Sequence, residues 1–223
     1  KELQWYQADD VLVENKTLRL RAQPRQRNNF AYTSGMVTTH DKYEFTYGYI
    51  EMRARAPKGK GFWPALWLAN RKTWPPEIDI MEMIGEKPGE IFMTLHYNND
   101  AKKHESSSSY HQGQDFTAGF HTYGLEWRAD RIVWYLDGKE TKRWTDKARI
   151  PTVPMYLLAN LAVGGLAQKP DVGTPFPAFL EVDFIKVWQS AKAPSSAPGR
   201  AGGLPLQMTP PAGVDPASFQ MLA

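Results

Sequence analysis

Three acidic residues, Glu77, Asp79 and Glu82, lie within the otherwise apolar segment Glu77–Met83. Alternate residues of a β-strand point to the same face, so Glu77 and Asp79 share one face. A regular strand would turn Glu82 to the other face, and a β-bulge at residues 80–81 would return it. Clustered carboxylates repel one another, and burying them costs free energy, so their grouping indicates a chemical role.

Two carboxylates on one surface are the groups that glycoside hydrolysis requires. One attacks the anomeric carbon, and the other, protonated, gives its proton to the leaving oxygen. A middle acid such as Asp79 can exchange a proton with the nucleophile and help raise the pKa of the general acid. Retaining enzymes hold the two carboxyl groups about 5–5.5 Å apart, so this strand must bend for its side chains to converge.

The three acids could also be solvated side chains of an edge strand, or they could be ligands of a calcium ion. Both alternatives stay open from the residue types alone. The apolar residues Ile78, Ile80 and Met81 between the acids favour a central strand over an edge strand. Glycoside hydrolysis is therefore the favoured interpretation of the segment.

The composition limits the classes of protein to consider. The chain has 223 residues, of which 42% are hydrophobic and 23% charged, as in ordinary globular domains. No run of 18 apolar residues predicts a membrane span. The net charge of +3 is too small to indicate nucleic-acid binding. The absence of cysteine excludes disulfides, thiolate metal sites and a cysteine nucleophile.

The hydrophobic pattern has a period of two, which predicts β-strands. Alternation is clear in residues 49–56 and 121–128, and no segment reads convincingly as an amphipathic helix. Residues 11–21 and 132–144 predict hairpins, the second with a primed turn at Asp137 and Gly138. Many short strands separated by turns predict a β-sandwich or barrel. Further strand candidates are residues 62–69, 91–97, 155–162 and 179–188.

Two segments differ from this pattern. Residues 102–114 hold four consecutive serines with His104 and His111, and a flexible polar loop is favoured there over a metal-binding tract. Residues 191–223 contain six prolines and four glycines, which indicates a linker or an irregular tail. We therefore predict one domain in residues 1–190, followed by a tail in residues 191–223.

The acidic segment resembles the E-x-D-x-x-E signature of glycoside hydrolase family 16, in its bulged subgroup. The similarity extends over essentially residues 1–189. It implies an all-β fold, a β-jelly-roll sandwich of two antiparallel sheets with a concave carbohydrate-binding cleft. Other segments that are similar to the family include residues 32–35, 47–55, 57–61, 63–67, 120–127, 135–138, 158–165 and 182–188.

The resemblance also implies an activity and its residues. A retaining endo-β-glycanase would use Glu77 as nucleophile, Asp79 as assisting acid and Glu82 as general acid/base. Its substrate would be a β-1,3-, β-1,4- or mixed-linkage β-glucan, or a bacterial exopolysaccharide. Positions that match the family's cleft, or that could stack on or contact a sugar there, are Trp63, Trp67, Trp74, His96, Arg53, Asn29 and Asn160. Core packing is the alternative for the tryptophans, and a satisfied core or surface histidine is the alternative for His96.

The sequence departs from the family pattern in two places. Members of the family usually begin with a further N-terminal segment, here called the head, which is missing before Lys1. Residues 210–223 resemble the residues that lead into such a head. We therefore expect a permuted, tandem or incomplete arrangement. Asp183 matches a structural calcium ligand of the family, but the usual head ligands are missing; catalysis is expected to need no cofactor. Residues 166–170 replace a tryptophan of laminarinase-like relatives, and Trp74 with its two following prolines resembles enzymes that cleave succinoglycan-type exopolysaccharide.

Two further functions remain as alternatives. A lectin-like β-glucan-binding protein on this scaffold would usually lose the glutamates, and a transglycosylase would mostly have the shorter E-x-D-x-E spacing. We expect a polysaccharide as substrate, with no nucleic-acid or membrane partner, and a monomer. Polymeric substrates do not cross membranes, so a secreted or periplasmic location is predicted.

Overall fold

The structure is a computed structural model, and it describes residues 1–189 and 220–221. Sixteen β-strands and two short 3₁₀ helices, Ala8–Asp10 and Lys147–Arg149, form the regular structure of these residues. In chain order the strands are β1 (Gln4–Tyr6), β2 (Val11–Glu14), β3 (Thr17–Arg27), β4 (Phe30–Ser34), β5 (Met36–Thr38), β6 (Gly48–Arg55), β7 (Phe62–Ala69), β8 (Glu77–Met83), β9 (Glu90–Asn98), β10 (His104–Gln112), β11 (His121–Trp127), β12 (Ile132–Leu136), β13 (Lys139–Trp144), β14 (Tyr156–Val163), β15 (Ala178–Gln189) and β16 (Gln220–Met221).

The strands form two sheets, which confirms the predicted all-β jelly-roll sandwich. A six-stranded sheet has the order β10-β9-β8-β7-β14-β5, and the acidic strand β8 lies in its interior. The ten-stranded sheet follows β1-β4-β3-β15-β6-β11-β12-β13, with β2 and β16 paired to β3 and β15. One pairing differs from the prediction of purely antiparallel sheets, because β1 runs parallel to β4.

The core lies between the two sheets. Alternate residues of the six-stranded sheet, such as Leu66, Leu68 and Ile78, are fully buried there. Burial of this apolar surface is the main favourable contribution to folding. Trp127 and Trp134 are also fully buried.

Both predicted hairpins are present. Strands β2 and β3 are joined at Asn15 and Lys16, whose φ angles are 51° and 64°. Strands β12 and β13 are joined at Asp137 and Gly138, with φ angles of 49° and 75°. Two consecutive residues with positive φ are typical of the primed turns that match the twist of paired strands.

The prediction of a flexible loop in residues 102–114 is wrong. Residues His104–Gln112 form β10, and all nine pair with β9 in antiparallel register. Its residues alternate between exposed and half-buried positions, with none fully buried. A serine-rich edge strand of this kind lacks the apolar alternation by which strands are recognised in a sequence.

The end of the chain is described only at β16, whose two residues pair with Trp188 and Gln189 at the end of β15. The predicted linker and displaced head therefore lie almost entirely outside the described residues. Within the described part of the chain, no helix has the length and apolar character needed to cross a membrane.

Candidate active site

The predicted bulge is present in β8. On one side, Leu66 pairs with Met81 while the next residue of β7 pairs with Asp79, so Ile80 is the extra residue. On the other side, the register to β9 also shifts between Asp79 and Glu82. The shift keeps Ile80 and Met81 in the core and brings Glu82 to the face that carries Asp79.

All three carboxylates line one cavity of about 260 Å³ on the outer face of the six-stranded sheet. We call this outer face the cleft face. Glu2, which sequence analysis did not single out, also reaches the cavity. Predicted substrate-binding residues that line it are Trp63, Trp67, Trp74 and Asn160.

Asp79 is the most deeply buried of the three acids, with 3% of its surface exposed. Burial, and then the charge of Glu77, raise its pKa well above the usual value, although Lys142 partly offsets them. Its Oδ2 atom lies 3.2 Å from His96 Nε2 but forms no aligned hydrogen bond. Asp79 is therefore the member of the Glu77–Asp79 pair that keeps the proton.

Glu77 is better suited to carry negative charge. Burial raises its pKa, but the neighbouring His96 and a hydrogen bond from Trp74 act in the opposite direction. The Trp74 Nε1 atom donates to Glu77 Oε2 at 3.1 Å, and His96 Nε2 lies 3.6 Å from Oε1. A carboxylate held by donors beside a protonated Asp79 has the form that nucleophilic attack requires.

Glu82 has the properties of a general acid. Burial is the largest cause that raises its pKa, to about 8, and a negative charge on Asp79 acts in the same direction whenever Asp79 is ionised. A hydrogen bond of 2.9 Å from Trp63 Nε1 to Glu82 Oε1 lowers the pKa in part. At neutral pH most of Glu82 is protonated, so the proton needed by a leaving oxygen is present.

Trp67 and Asn160 form a second polar chain on the cleft face. Trp67 Nε1 donates to Asn160 Oδ1 at 2.7 Å, and Asn160 Nδ2 donates to the Tyr6 hydroxyl at 2.9 Å. These bonds fix the orientation of the amide and the indole at the edge of the cavity. Tyr6 was missed because nothing in a three-residue strand distinguishes it from a core tyrosine.

His96 lies on β9 opposite Glu77, as the cleft prediction requires. Its Nδ1 atom is 2.9 Å from Nε2 of His104, and Trp74 covers His104 with ring centroids 4.6 Å apart. Which of these two ring nitrogens donates the hydrogen bond depends on the tautomers of the two histidines. The sequence pointed to His104 only as part of a polar tract, so this contact was missed.

Two predicted cleft residues lie elsewhere. Arg53 is on β6 of the ten-stranded sheet, where it pairs with Asp183 at 2.8 Å, so its assignment to the cleft is wrong. Strand alternation gives the face of a residue but not the sheet to which its strand belongs. Asn29 lies in the turn between β3 and β4 with a φ of 66°, outside the catalytic cavity. It lines a neighbouring groove that shares Glu2 with the cavity, so sugar contact at Asn29 stays a prediction.

Clusters of acidic and histidine side chains in the described residues add no support to the calcium hypothesis. One group of three acidic or histidine side chains converges there, formed by Glu77, Asp79 and His96. Calcium prefers six to eight oxygen ligands, which two carboxylates and an imidazole do not provide. The Asp183 carboxylate is held by the Arg53 guanidinium. We derive no role for calcium from these residues, and a calcium site at Asp183 stays a prediction.

The fold and the site together define a two-sheet β-sandwich with three clustered carboxylates on one face, and comparison with known proteins supplies the family. The profile described as glycosyl hydrolases family 16 matches residues 1–176. The chain belongs to this family. The predicted family is therefore confirmed.

Named relatives include bacterial β-glucanases. The endo-1,3-1,4-beta-glycanase EglC of Rhizobium meliloti is 39% identical over 203 residues, which cover 84% of this chain and 43% of EglC. A beta-glucanase of Rhodothermus marinus is 32% identical, over 85% of this chain and 74% of that protein. The chain thus spans less than half the length of EglC.

Solved structures show the same fold. The laminarinase catalytic domain of Thermotoga maritima superposes with a TM-score of 0.76 at 34% identity, covering 83% of this chain and 82% of that chain. The endo-beta-1,3-glucanase of Pyrococcus furiosus gives a TM-score of 0.72 at 35% identity, over 83% of this chain and 80% of that chain.

Trp63→Phe isolates the hydrogen bond to Glu82 from the aromatic surface of the indole. Loss of the Nε1–H donor removes an interaction that lowers the pKa of Glu82, so that pKa is expected to rise above about 8. The alkaline limb of kcat/KM should move to higher pH by a fraction of a unit to about one unit. A pH–rate profile beside that of the wild type measures the shift. A limb that stays in place, or moves to lower pH, would contradict the assigned role of Trp63.

Proposed function

We propose that this protein is a retaining endo-β-glycanase that hydrolyses β-glucan-type polysaccharide by double displacement. The observation that carries the proposal is the bulged strand β8, which brings Glu77, Asp79 and Glu82 into one cavity. The environments of the acids favour different protonation states, because burial raises the pKa of Asp79 and of Glu82, whereas at Glu77 the effect of burial is opposed by His96 and the hydrogen bond from Trp74. Pairs of acids with separated pKa values are typical of acid/base catalysis.

The first step forms a covalent glycosyl-enzyme. The Glu77 carboxylate attacks the anomeric carbon while protonated Glu82 gives its proton to the departing glycosidic oxygen. Asp79 keeps its proton and so does not repel the charge on Glu77. As that charge is consumed, one of the causes that raise the pKa of Asp79 is removed.

The second step releases the sugar. Glu82, now ionised, removes a proton from a water molecule that attacks the anomeric carbon and breaks the bond to Glu77. Two displacements on the same carbon give retention of configuration. Glu82 is then protonated again and the site is ready for another cycle.

The substrate class follows from the cavity and from the relatives. Indole faces of Trp63, Trp67 and Trp74 border the carboxylates, and aromatic faces of this kind stack on the apolar face of a pyranose ring. Trp74 is 57% exposed, as a platform for a ligand would be. Relatives named as 1,3-1,4-beta-glycanase and laminarinase support a β-1,3- or mixed-linkage glucan, with a related bacterial exopolysaccharide as the other candidate.

The test is product release from laminarin, lichenan and a succinoglycan-type exopolysaccharide, with the wild type beside Glu77→Gln. We expect oligosaccharides of several lengths from one of these polymers, and none from the variant. Retention is read by NMR as the anomer that forms first. Binding to a polymer without cleavage by the wild type would instead favour the lectin-like alternative.

Transfer to a sugar acceptor is a second reaction that the same intermediate allows. Adding oligosaccharide acceptor and measuring chain-lengthened products separates a transglycosylase from a hydrolase. The longer E-x-D-x-x-E spacing favours hydrolysis as the main reaction. A polymeric substrate also supports the proposal that the protein acts outside the cytoplasm, because such polymers do not cross membranes.

A further inference from the structure

The carboxylates of β8 divide the cleft face into two unequal halves. The cavity extends from the carboxylates toward β7 and β14, and the three tryptophans also line it. The other half consists of β9 and the edge strand β10. An endo-acting enzyme must hold sugars on both sides of the bond it cleaves, so this second half needs a binding surface of its own.

A row of side chains leads across that half from the general acid. Glu82 pairs with Phe92 on β9, and Phe92 pairs with Tyr110 on β10. The rings of Phe92 and Tyr110 are 5.6 Å apart between centroids and tilted by 31°. At about 4.8 Å between neighbouring strands, Tyr110 lies roughly 10 Å from β8.

Tyr110 is exposed on the face where a sugar would pass. Phe92 is 7% exposed beneath it, whereas 63% of the surface of Tyr110 is open. Packing on Phe92 holds one face of the tyrosine ring in place and leaves the other face free. An exposed aromatic ring that is supported from below is typical of a surface on which a ligand stacks its apolar face, such as the apolar face of a sugar ring.

The residues beside Tyr110 suit a polyhydroxylated chain. Ser106 and Ser108 precede it on the same face and are exposed, while Gln112 follows and bonds to Glu90. Ser108 Oγ also lies 3.0 Å from Thr94 Oγ1, and Thr94 is the residue of β9 that pairs with Asp79. Because serine side chains are small, they leave space for a sugar above this part of the sheet, and their hydroxyl groups donate and accept hydrogen bonds.

The position relative to the nucleophile decides which sugars this surface receives. Glu77 must contact the anomeric carbon of the sugar that becomes covalently bound, and Glu77 lines the cavity with the three indoles, so that sugar is assigned to the cavity. The departing part of the chain lies on the opposite side of the cleaved bond. We propose that Tyr110, supported by Phe92, is a stacking platform for a pyranose ring in the leaving part of the polysaccharide chain.

The proposal rests on the proposed function and extends it to a second half of the substrate. The test compares Tyr110→Ala with Tyr110→Phe, which keeps the ring. Ser109→Ala is the matched control, because Ser109 neighbours Tyr110 on the same strand but is half-buried on the other face. Each variant of the full chain is assayed on the polymer that the wild type cleaves and on a nitrophenyl glycoside of an oligosaccharide from that polymer.

We expect Tyr110→Ala to lower kcat/KM on the polymer by about 5- to 100-fold, by analogy with aromatic stacking on nucleic-acid bases. The nitrophenyl glycoside has no leaving sugar, so its kcat/KM should change by less than about 2-fold. Tyr110→Phe and Ser109→Ala should stay close to the wild type on both substrates. Transfer to an added oligosaccharide acceptor should fall together with polymer cleavage in Tyr110→Ala.

Two results would overturn the platform. One is an unchanged kcat/KM on the polymer in Tyr110→Ala, and the other is an equal loss on both substrates. Where the wild type cleaves none of the polymers, the proposed function fails, and the platform is then judged by polymer binding alone. Equal binding by the wild type and Tyr110→Ala would reject it, whereas weaker binding by Tyr110→Ala, with Tyr110→Phe unchanged, would support it.

Discussion

Glu77→Gln is expected to abolish polysaccharide cleavage, with kcat lowered by about 10⁴-fold or more, as for other removed nucleophiles. The amide cannot form the covalent glycosyl-enzyme, and the substitution is nearly isosteric. It also removes the charge that raises the pKa of Asp79, so the fold should be retained. Turnover is measured on the polymer, and folding by thermal unfolding of the same preparation.

A rescue experiment separates loss of the nucleophile from damage to the site. Glu77→Gly leaves a space at the position of the carboxylate, and a small anion such as azide can attack the anomeric carbon from that side. An activated aryl glycoside should then give a glycosyl azide of inverted configuration. Glu140→Gln, an exposed glutamate paired with Arg143 on the other sheet, is the control and should keep full activity. Substantial cleavage by Glu77→Gln would refute the assignment of Glu77 as nucleophile.

The position of the acids could be predicted because their spacing conflicts with strand alternation. Asp79 follows Glu77 by two positions, which keeps both on one face, but Glu82 follows Glu77 by five, which is an odd number. One extra residue is therefore needed to place all three on one face. The structure places that irregularity at Ile80. The bulge is favoured because burial of the apolar Ile80 side chain in the core stabilises the folded state. It allows that burial while Glu82 still points to the cleft face.

Other features of the site depend on contacts between distant strands, which a sequence pattern does not contain. The alternation around Arg53 correctly predicts a strand, but β6 belongs to the ten-stranded sheet, where Arg53 meets Asp183. The serine-rich β10 has no apolar face, yet its pairing with β9 brings His104 and Tyr110 to the cleft face. Which strand lies beside which is set by the packing of the whole sandwich.

The half-buried lysine Lys142 illustrates the same limit. It lies on β13 of the ten-stranded sheet, but its ammonium group donates to the main-chain carbonyls of Met93 and Ser107 in the catalytic sheet. Burial lowers its pKa to about 8, while the charge of Asp79 acts in the opposite direction. Nothing in the hairpin sequence distinguishes Lys142 from a solvated lysine. Its effect on Asp79 arises only because the two sheets meet at this edge.

Glu82→Gln is expected to affect substrates according to their leaving groups. A sugar hydroxyl is a poor leaving group, so loss of the proton donor should lower kcat/KM on the polymer by about 10²- to 10⁴-fold. An activated dinitrophenyl glycoside needs little protonic assistance, so its glycosylation step should change much less. Comparison of kcat/KM on the two substrates measures the difference. Equal losses on both would contradict the role of Glu82 as general acid.

The pH profile gives the same variant a second readout. In the wild type the pKa of Glu82 is about 8, so the protonated acid prevails below that pH and is lost above it. We therefore expect kcat/KM on the polymer to fall as pH rises through about 8, and the limb to be absent in Glu82→Gln. Water attack on the glycosyl-enzyme also lacks its base in this variant, so the activated glycoside should show a burst followed by slow turnover. Persistence of the alkaline limb in Glu82→Gln would assign that limb to another group.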